Sequence, residues 1–179
     1  MLKGKLVGLV AVEKEDLSPL LAWRNNPDFR KYFREYRELN LYQQEAWFNE
    51  KVVKDPTTIM FSVRRLEDNE LLGCCGFVYV NWVHRHADLS LYIGWQDAYI
   101  DDKGYAEESC RLLIDHGFKE LCLNKIWTEI YEFDGKKKAL YDKFGFHQDG
   151  LLRENYFYDG RFWNSRILSL MRLKSLFHS

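Results

Sequence analysis

Apolar residues recur along this chain at two different periods, and the points where one period gives way to the other mark its elements. Residues 6–12 are β-like and apolar. In the charged run that follows, Asp16 is placed to cap a helix carrying Leu17, Leu20, Leu21 and Trp23 on neighbouring turns. Asn25-Asn26-Pro27 stops that helix, and Pro27 opens a second, short one. Residues 34–40 have no clear period and read as a loop. A further helix over 41–53 places Ala46, Trp47 and Val52 inward and is closed by Asp55-Pro56. From Ile59 the period falls to two, with Ile59, Phe61 and Val63 on one face, a polar turn at 67–70 and a partner strand at 71–80. A turn at 84–86 then leads into a strand over 89–93.

The stretch 88–121 organises the rest: strand, short acidic loop, a Lys103-Gly104-Tyr105-Ala106 turn, then an amphipathic helix. Ala106, Cys110, Leu113, Ile114, Gly117 and Leu121 form one stripe of that helix, suited to packing on a sheet. A glycine at the helix start leaves backbone N–H groups pointing outward at the positive end of the helix dipole, an anion site. Beyond it come a strand over 125–131, a helix over 134–143, a turn at Gly145-Phe146, and two strands over 151–158 and 162–173. Asp159-Gly160 joins the last two as a tight hairpin. Strand–helix–strand around the central helix demands a parallel crossover, while both flanks are antiparallel. The expected fold is α/β (α+β): one domain over 1–179, with a mixed, strongly twisted sheet and helices on both faces.

Composition narrows the function. With 179 residues and 46% apolar content the chain is long enough for one good core. A net charge of −1, with Lys and Arg scattered among Asp and Glu, argues against nucleic acid or a membrane surface as partner. Aromatic residues reach 16%, more than a core of this size needs, and suit a groove for an organic ligand. Cys74, Cys75, Cys110 and Cys122 lack metal-site spacing and read as buried free thiols in a reducing compartment. The first residues read as a strand rather than a signal peptide or a membrane span, so a cytoplasmic location is expected.

The order of elements, with Leu91-Tyr92-Ile93-Gly94, Lys103-Gly104-Tyr105-Ala106 and Ala139-Leu140-Tyr141-Asp142-Lys143-Phe144-Gly145-Phe146 at their joins, resembles the GCN5-related N-acetyltransferase (GNAT) superfamily. The branch it resembles contains ribosomal-protein N-terminal acetyltransferases and spermidine or amino-sugar acetyltransferases. The resemblance covers nearly the whole chain. It implies acetyl-CoA as cofactor, its pyrophosphate on the N–H groups of Lys103, Gly104, Tyr105 and Ala106. It also implies a bulge in the strand 89–93 that splays it from the next parallel strand. The pantetheine arm would lie in that gap, held by backbone groups near Tyr92 and Ile93, with Asp134 where the family has an Asn that bonds the arm. Asp101 and Asp102 depart from the pattern, standing where Gln or Arg and Gly are usual. Two carboxylates beside a pyrophosphate oppose binding unless they face solvent or Lys103 offsets them.

The implied reaction is direct attack of a primary amine on the thioester in a ternary complex. By the resemblance, Tyr141 is the residue that protonates the leaving thiolate; the alternative is a tyrosine capping the core beside Phe144. Asp88 is the candidate to take the amine's proton, or else a surface carboxylate paired with Arg85. His84 and His86 lack a third ligand, so no metal is expected. Trp23, Arg24, Tyr32 and Trp47 are candidates to line the acceptor site, with Phe33, Tyr156 and Tyr158. Arg24 either binds an acidic group on the acceptor or pairs with Glu45 or Asp28. The acceptor is a protein N-terminus or a small amine, a nucleotide-linked amino sugar being the specific alternative. The chain is expected as monomer or homodimer. Asp101, Asp102 and Asp134 keep open a binding module that has lost turnover.

Overall fold

A computed structural model describes residues 1–172. The strands are β1 (Leu2–Lys3), β2 (Val7–Ala11), β3 (Ile59–Arg65), β4 (Leu71–Asn81), β5 (His86–Ile93), β6 (Lys125–Tyr131), β7 (His147–Tyr158) and β8 (Arg161–Met171). They form one eight-stranded sheet in the order β1-β2-β3-β4-β5-β6-β8-β7. Among the described strands only β5 and β6 are parallel neighbours. The mixed sheet expected from the crossover is therefore the observed one. The last strand, expected over 162–173, ends at Met171, and position 173 lies outside the described residues.

Helices α1 (Leu17–Asn25), α2 (Pro27–Arg30) and α3 (Leu41–Trp47) precede β3; α4 (Tyr105–Lys119) joins β5 to β6, and α5 (Gly135–Lys143) follows β6. They divide between the two faces of the sheet, and strand alternation builds a separate core under each group. Cys75, Leu89, Leu91 and Ile93 point to one side, where Ala106, Cys110 and Leu113 of α4 and Leu140 of α5 cover them. Cys74 and Tyr92, one residue out of phase, point to the other and meet Leu17, Leu20, Phe29 and Phe48. At the far hairpin Asp159 and Gly160 have φ of 53° and 75°, the two left-handed positions of the tight turn.

Three local details differ from expectation. Asp16 stands at the start of α1 without capping it. Its buried carboxylate instead accepts from Ser62 Oγ at 2.5 Å and pairs with Arg64, pinning α1 to β3. The helix over 41–53 widens into a π turn at Phe48–Val53, which rotates its face so that Gln44 and Phe48 are buried and Ala46 is exposed. Cys122 is exposed, whereas the other three cysteines are buried.

One carboxylate ties the chain's start to the central helix. Glu108, in the first turn of α4, accepts from the N–H groups of Lys5 at 2.9 Å, Leu6 at 2.6 Å and Val7 at 2.8 Å. Partial burial raises its pKa, but these N–H groups outweigh that and hold it below the usual carboxylate value. A depressed folded pKa contributes stability above the unfolded value and loses it as pH falls. Glu108→Gln is therefore expected to lower stability at neutral pH by about 1–3 kcal/mol, with the gap to wild type closing in acid. Denaturant titrations of both proteins from neutral to acidic pH check this.

Candidate active site

β5 and β6 pair for only three positions, His86↔Lys125, Ala87↔Ile126 and Asp88↔Trp127, and then part. Beyond that point backbone groups of β5 need other partners. The Leu89 carbonyl accepts from the Thr128 hydroxyl at 3.1 Å, and the Ile93 N–H donates to the Tyr99 carbonyl at 2.9 Å. Strand parity puts the N–H and C=O of Leu91 on the same open side, facing the gap without a ladder partner. Leu91, rather than the expected Tyr92 and Ile93, thus offers backbone groups to the gap: Tyr92 faces the β4 ladder, and the Ile93 N–H is taken. The bulge is also displaced from expectation. It lies on β4, where the register shifts between Val78 and Asn81 and Tyr79 has a φ of 53°.

Tyr99 holds the gap open. Its ring is buried and stacks on Tyr32 with centroids 4.1 Å apart. Its hydroxyl donates to Asp134 Oδ2 at 2.6 Å, while Asp134 Oδ1 accepts from the Lys137 N–H at 3.0 Å and so caps α5. Both oxygens of Asp134, expected to meet a cofactor arm, are committed within the protein.

A cavity of about 360 Å³ fills the space between the parted strands. Leu89, Ser90 and Leu91 line one wall, Thr128, Glu129 and Tyr131 the other. Asp88 stands at its floor, only 3% exposed. Its partner is Arg34, at 2.7 Å, and not Arg85; the Arg34 Nε reaches Glu129 at 3.3 Å. One guanidinium therefore bridges β5 and β6 across the mouth of the gap. Burial pushes the Asp88 carboxyl up to about 6, against the pull of Arg34. Lys137 reaches the cavity from α5, its ammonium 5.3 Å from the centre of the Tyr99 ring. Burial lowers its pKa, with Asp134 and Asp88 opposing. Tyr141, one helical turn further on, is fully buried against Phe146 and outside the cavity lining, near Thr128, and its Oη has no geometrically sound hydrogen-bond partner among the described residues.

At the α4 N-terminus Gly104 takes the left-handed conformation, φ 94°. The outward N–H groups expected there are present and already hold an anion, the chain's own Asp101. Its carboxylate accepts from Lys103 N at 2.8 Å, Tyr105 N at 2.9 Å and Ala106 N at 2.7 Å. Asp102 faces solvent. Alongside runs a second cavity of about 380 Å³, flanked by Lys136 and Lys143.

Of the four acceptor-side candidates, Arg24 and Tyr32 line the central cavity and Trp47 a neighbouring one shared with Arg24. Trp23 packs against the Gly94 backbone, where any Cβ would lie 1.9 Å from its ring. Arg24 pairs with neither Glu45 nor Asp28; it lies over Phe33, and its buried Nε has no partner among the described residues. His84 and His86 stack 6.4 Å apart, and no group of three metal-ligating side chains occurs among the described residues. Arg34, Leu91, Tyr99 and Lys137 escaped the sequence reading, because their roles depend on partners far away in the chain.

A parallel strand pair thus splays over a buried carboxylate, beside a helix that starts on a left-handed glycine. The family model described as "Acetyltransferase (GNAT) domain" matches residues 7–147, and the chain belongs to this family of acetyltransferases. It is 27% identical to a spermidine N(1)-acetyltransferase of Vibrio cholerae over 168 residues, 94% of each chain, and 27% identical to a probable N-acetyltransferase, YjcK, of Bacillus subtilis over 179 residues. The latter alignment covers 96% of this chain and 97% of the relative. A crystal structure of the Vibrio cholerae enzyme in complex with CoA and spermine superposes with a TM-score of 0.85 at 25% identity, covering 94% of this chain and 96% of that one.

Since Arg34 opposes the burial of Asp88 more strongly than Lys137 does, Arg34→Met is expected to move the Asp88 titration upward from about 6. Arg85→Ala should leave it in place. Carboxyl NMR of Asp88 across the acidic range reads both.

Proposed function

We propose that this acetyltransferase carries the acetyl group of acetyl-CoA to the primary amine of a small acceptor bound in the cavity above Asp88. The observation that carries this reading is a buried carboxylate, poised near pH 6, at the floor of an open gap between parted strands. Such a group is ionised at neutral pH and still basic enough to take a proton from an amine.

The residues fit acetyl-CoA with one adjustment. The gap has the free backbone groups of Leu91 and an orphaned buried Tyr141 Oη beside it. The phosphate end would lie on the N–H groups of Lys103, Tyr105 and Ala106, flanked by Lys136 and Lys143, once the Asp101 carboxylate turns aside. Bound there, acetyl-CoA supplies an acetyl thioester. Asp88 accepts the proton of the attacking amine, Arg34 sets its basicity, and Tyr99 with Asp134 keeps the strands apart.

Charge in the cavity speaks to the acceptor. Asp88, Glu129 and Glu35 are offset by Arg24, Arg34 and Lys137, and Tyr32, Phe33, Tyr79 and Tyr131 supply aromatic wall. A polycation prefers a surplus of carboxylates; a balanced, aromatic cavity with an Arg24 that makes no ion pair among the described residues suits a monoamine on a polar body, such as an amino sugar.

Thiol release over amino sugars, spermidine, spermine and short peptides tests both levels. Amino sugars are expected to lead; a preference for spermidine overturns the acceptor class, and no release with any amine overturns the reaction. Asp88→Asn is expected to lower kcat/KM by about 100-fold or more and abolish the acid limb near pH 6. Asp101→Asn keeps a capping side chain but removes the competing charge, so calorimetry should find tighter CoA binding than in wild type.

A further inference from the structure

The α5 side chain that reaches the reaction gap is Lys137, while Tyr141, on the same helical face one turn later, lies outside the cavity lining. Lys137 caps nothing with its side chain and makes no ion pair or side-chain hydrogen bond among the described residues. Asp88 lines the same cavity, so an amine deprotonated at Asp88 and a thioester drawn into the gap would both lie within its enclosure.

We propose that Lys137, rather than Tyr141, is the proton donor to the departing thiolate of acetyl-CoA. The assignment rests on the acetyl-CoA reading above. Asp88 takes one proton from the amine as its nitrogen bonds to the acetyl carbon. Lys137 Nζ gives one proton to the sulfur as the carbon–sulfur bond breaks. Asp88 is then protonated and Lys137 neutral, and a proton passing from the first to the second through the cavity restores both without an outside reactant.

The surroundings favour this direction of transfer. The charged and titratable groups that act on the Lys137 ammonium are Asp88 from β5, Asp134 at the start of α5 and Arg34 beyond α2, with the Tyr99 ring beneath it. Burial, the largest influence, lowers its pKa, bringing the donor nearer to neutral pH. Burial drives the Tyr141 phenol the other way, well above its ordinary value, which makes it the weaker acid. A positive charge held beside the sulfur also stabilises the thiolate before the proton moves.

The test compares Lys137→Met, Lys137→Arg and Tyr141→Phe with wild type. Lys137→Met is expected to lower kcat by about 100-fold, with KM for acetyl-CoA changed less than about threefold. The alkaline limb of the pH–rate profile should vanish with it. Lys137→Arg keeps the charge but holds its proton and should be nearly as slow, which guards against a folding defect in the methionine variant. Tyr141→Phe should retain most of kcat and the alkaline limb. A readout independent of turnover is the ultraviolet thiolate absorbance of bound free CoA: its thiol should ionise at lower pH in wild type than in Lys137→Met. Unchanged kcat, alkaline limb and thiol ionisation in Lys137→Met overturn the assignment, and their loss in Tyr141→Phe returns the role to the tyrosine. A wild-type protein that fails to bind CoA overturns the acetyl-CoA reading itself.

Discussion

The fold turns on a ladder that stops. Two parallel strands pair for three residues and then separate, although each separated backbone group must find a partner or stay hydrated. The gap exists because the chain supplies substitutes that hold the strands apart. Thr128 answers the Leu89 carbonyl with its hydroxyl, and Tyr99 answers the Ile93 N–H with its carbonyl. Tyr99 in turn is fixed by its stack on Tyr32 and its bond to Asp134. The bulge on β4 adds a residue opposite β5 just where the parting begins. The opening is therefore built in from both sides.

Holding charge in such an opening is costly unless the charges answer one another. Asp88, Glu129, Arg34 and Lys137 form a set in which no member is fully neutralised. Arg34 serves two carboxylates, and Lys137 has none within ion-pair reach among the described residues. Asp88 is buried deeply enough that desolvation outweighs its ion pair, which is why its carboxyl titrates near 6 rather than below 4. Loss of Arg34 would take that group out of its useful range, so a residue on an irregular loop governs the basicity of one on the central strand. The loop is itself tethered: Asn25 bonds the backbone at Leu39 in both directions, at 2.7 and 2.8 Å.

Much of this was legible in the residues, and the limit has a physical form. Periodicity found the strands, the α4 stripe and the Asp159-Gly160 hairpin, because each depends on neighbours within a few positions. The resemblance to the family placed Gly104 and the gap. Arg34 fell in a stretch without a period, and its partners lie 54 and 95 residues away at Asp88 and Glu129. Lys137 sits in a Lys136-Lys137-Lys138 run that reads as a solvated helix face, and only the packing of α5 singles out the middle one. The misplaced bulge and the choice of Leu91 over its neighbours share one cause: strand parity decides which backbone groups face the gap, and a single-residue shift reverses it.

The two ends of the site also share a principle that sequence pattern does not express. At the reaction end, Arg34 sits on the carboxylate that would meet an ammonium. At the α4 end, Asp101 sits on the N–H groups that would meet a phosphate. In each case the protein satisfies a group proposed to meet a ligand with a charge of that ligand's own sign. Unpaired, these groups would destabilise the empty site; paired, they must be released, and binding affinity falls by the free energy of that exchange. Asp101 and Asp102 raised the question of whether this loop could take an anion. The N–H groups of Lys103, Tyr105 and Ala106 hold a carboxylate, and Asp101 supplies it, so any other anion must compete with Asp101 for the position.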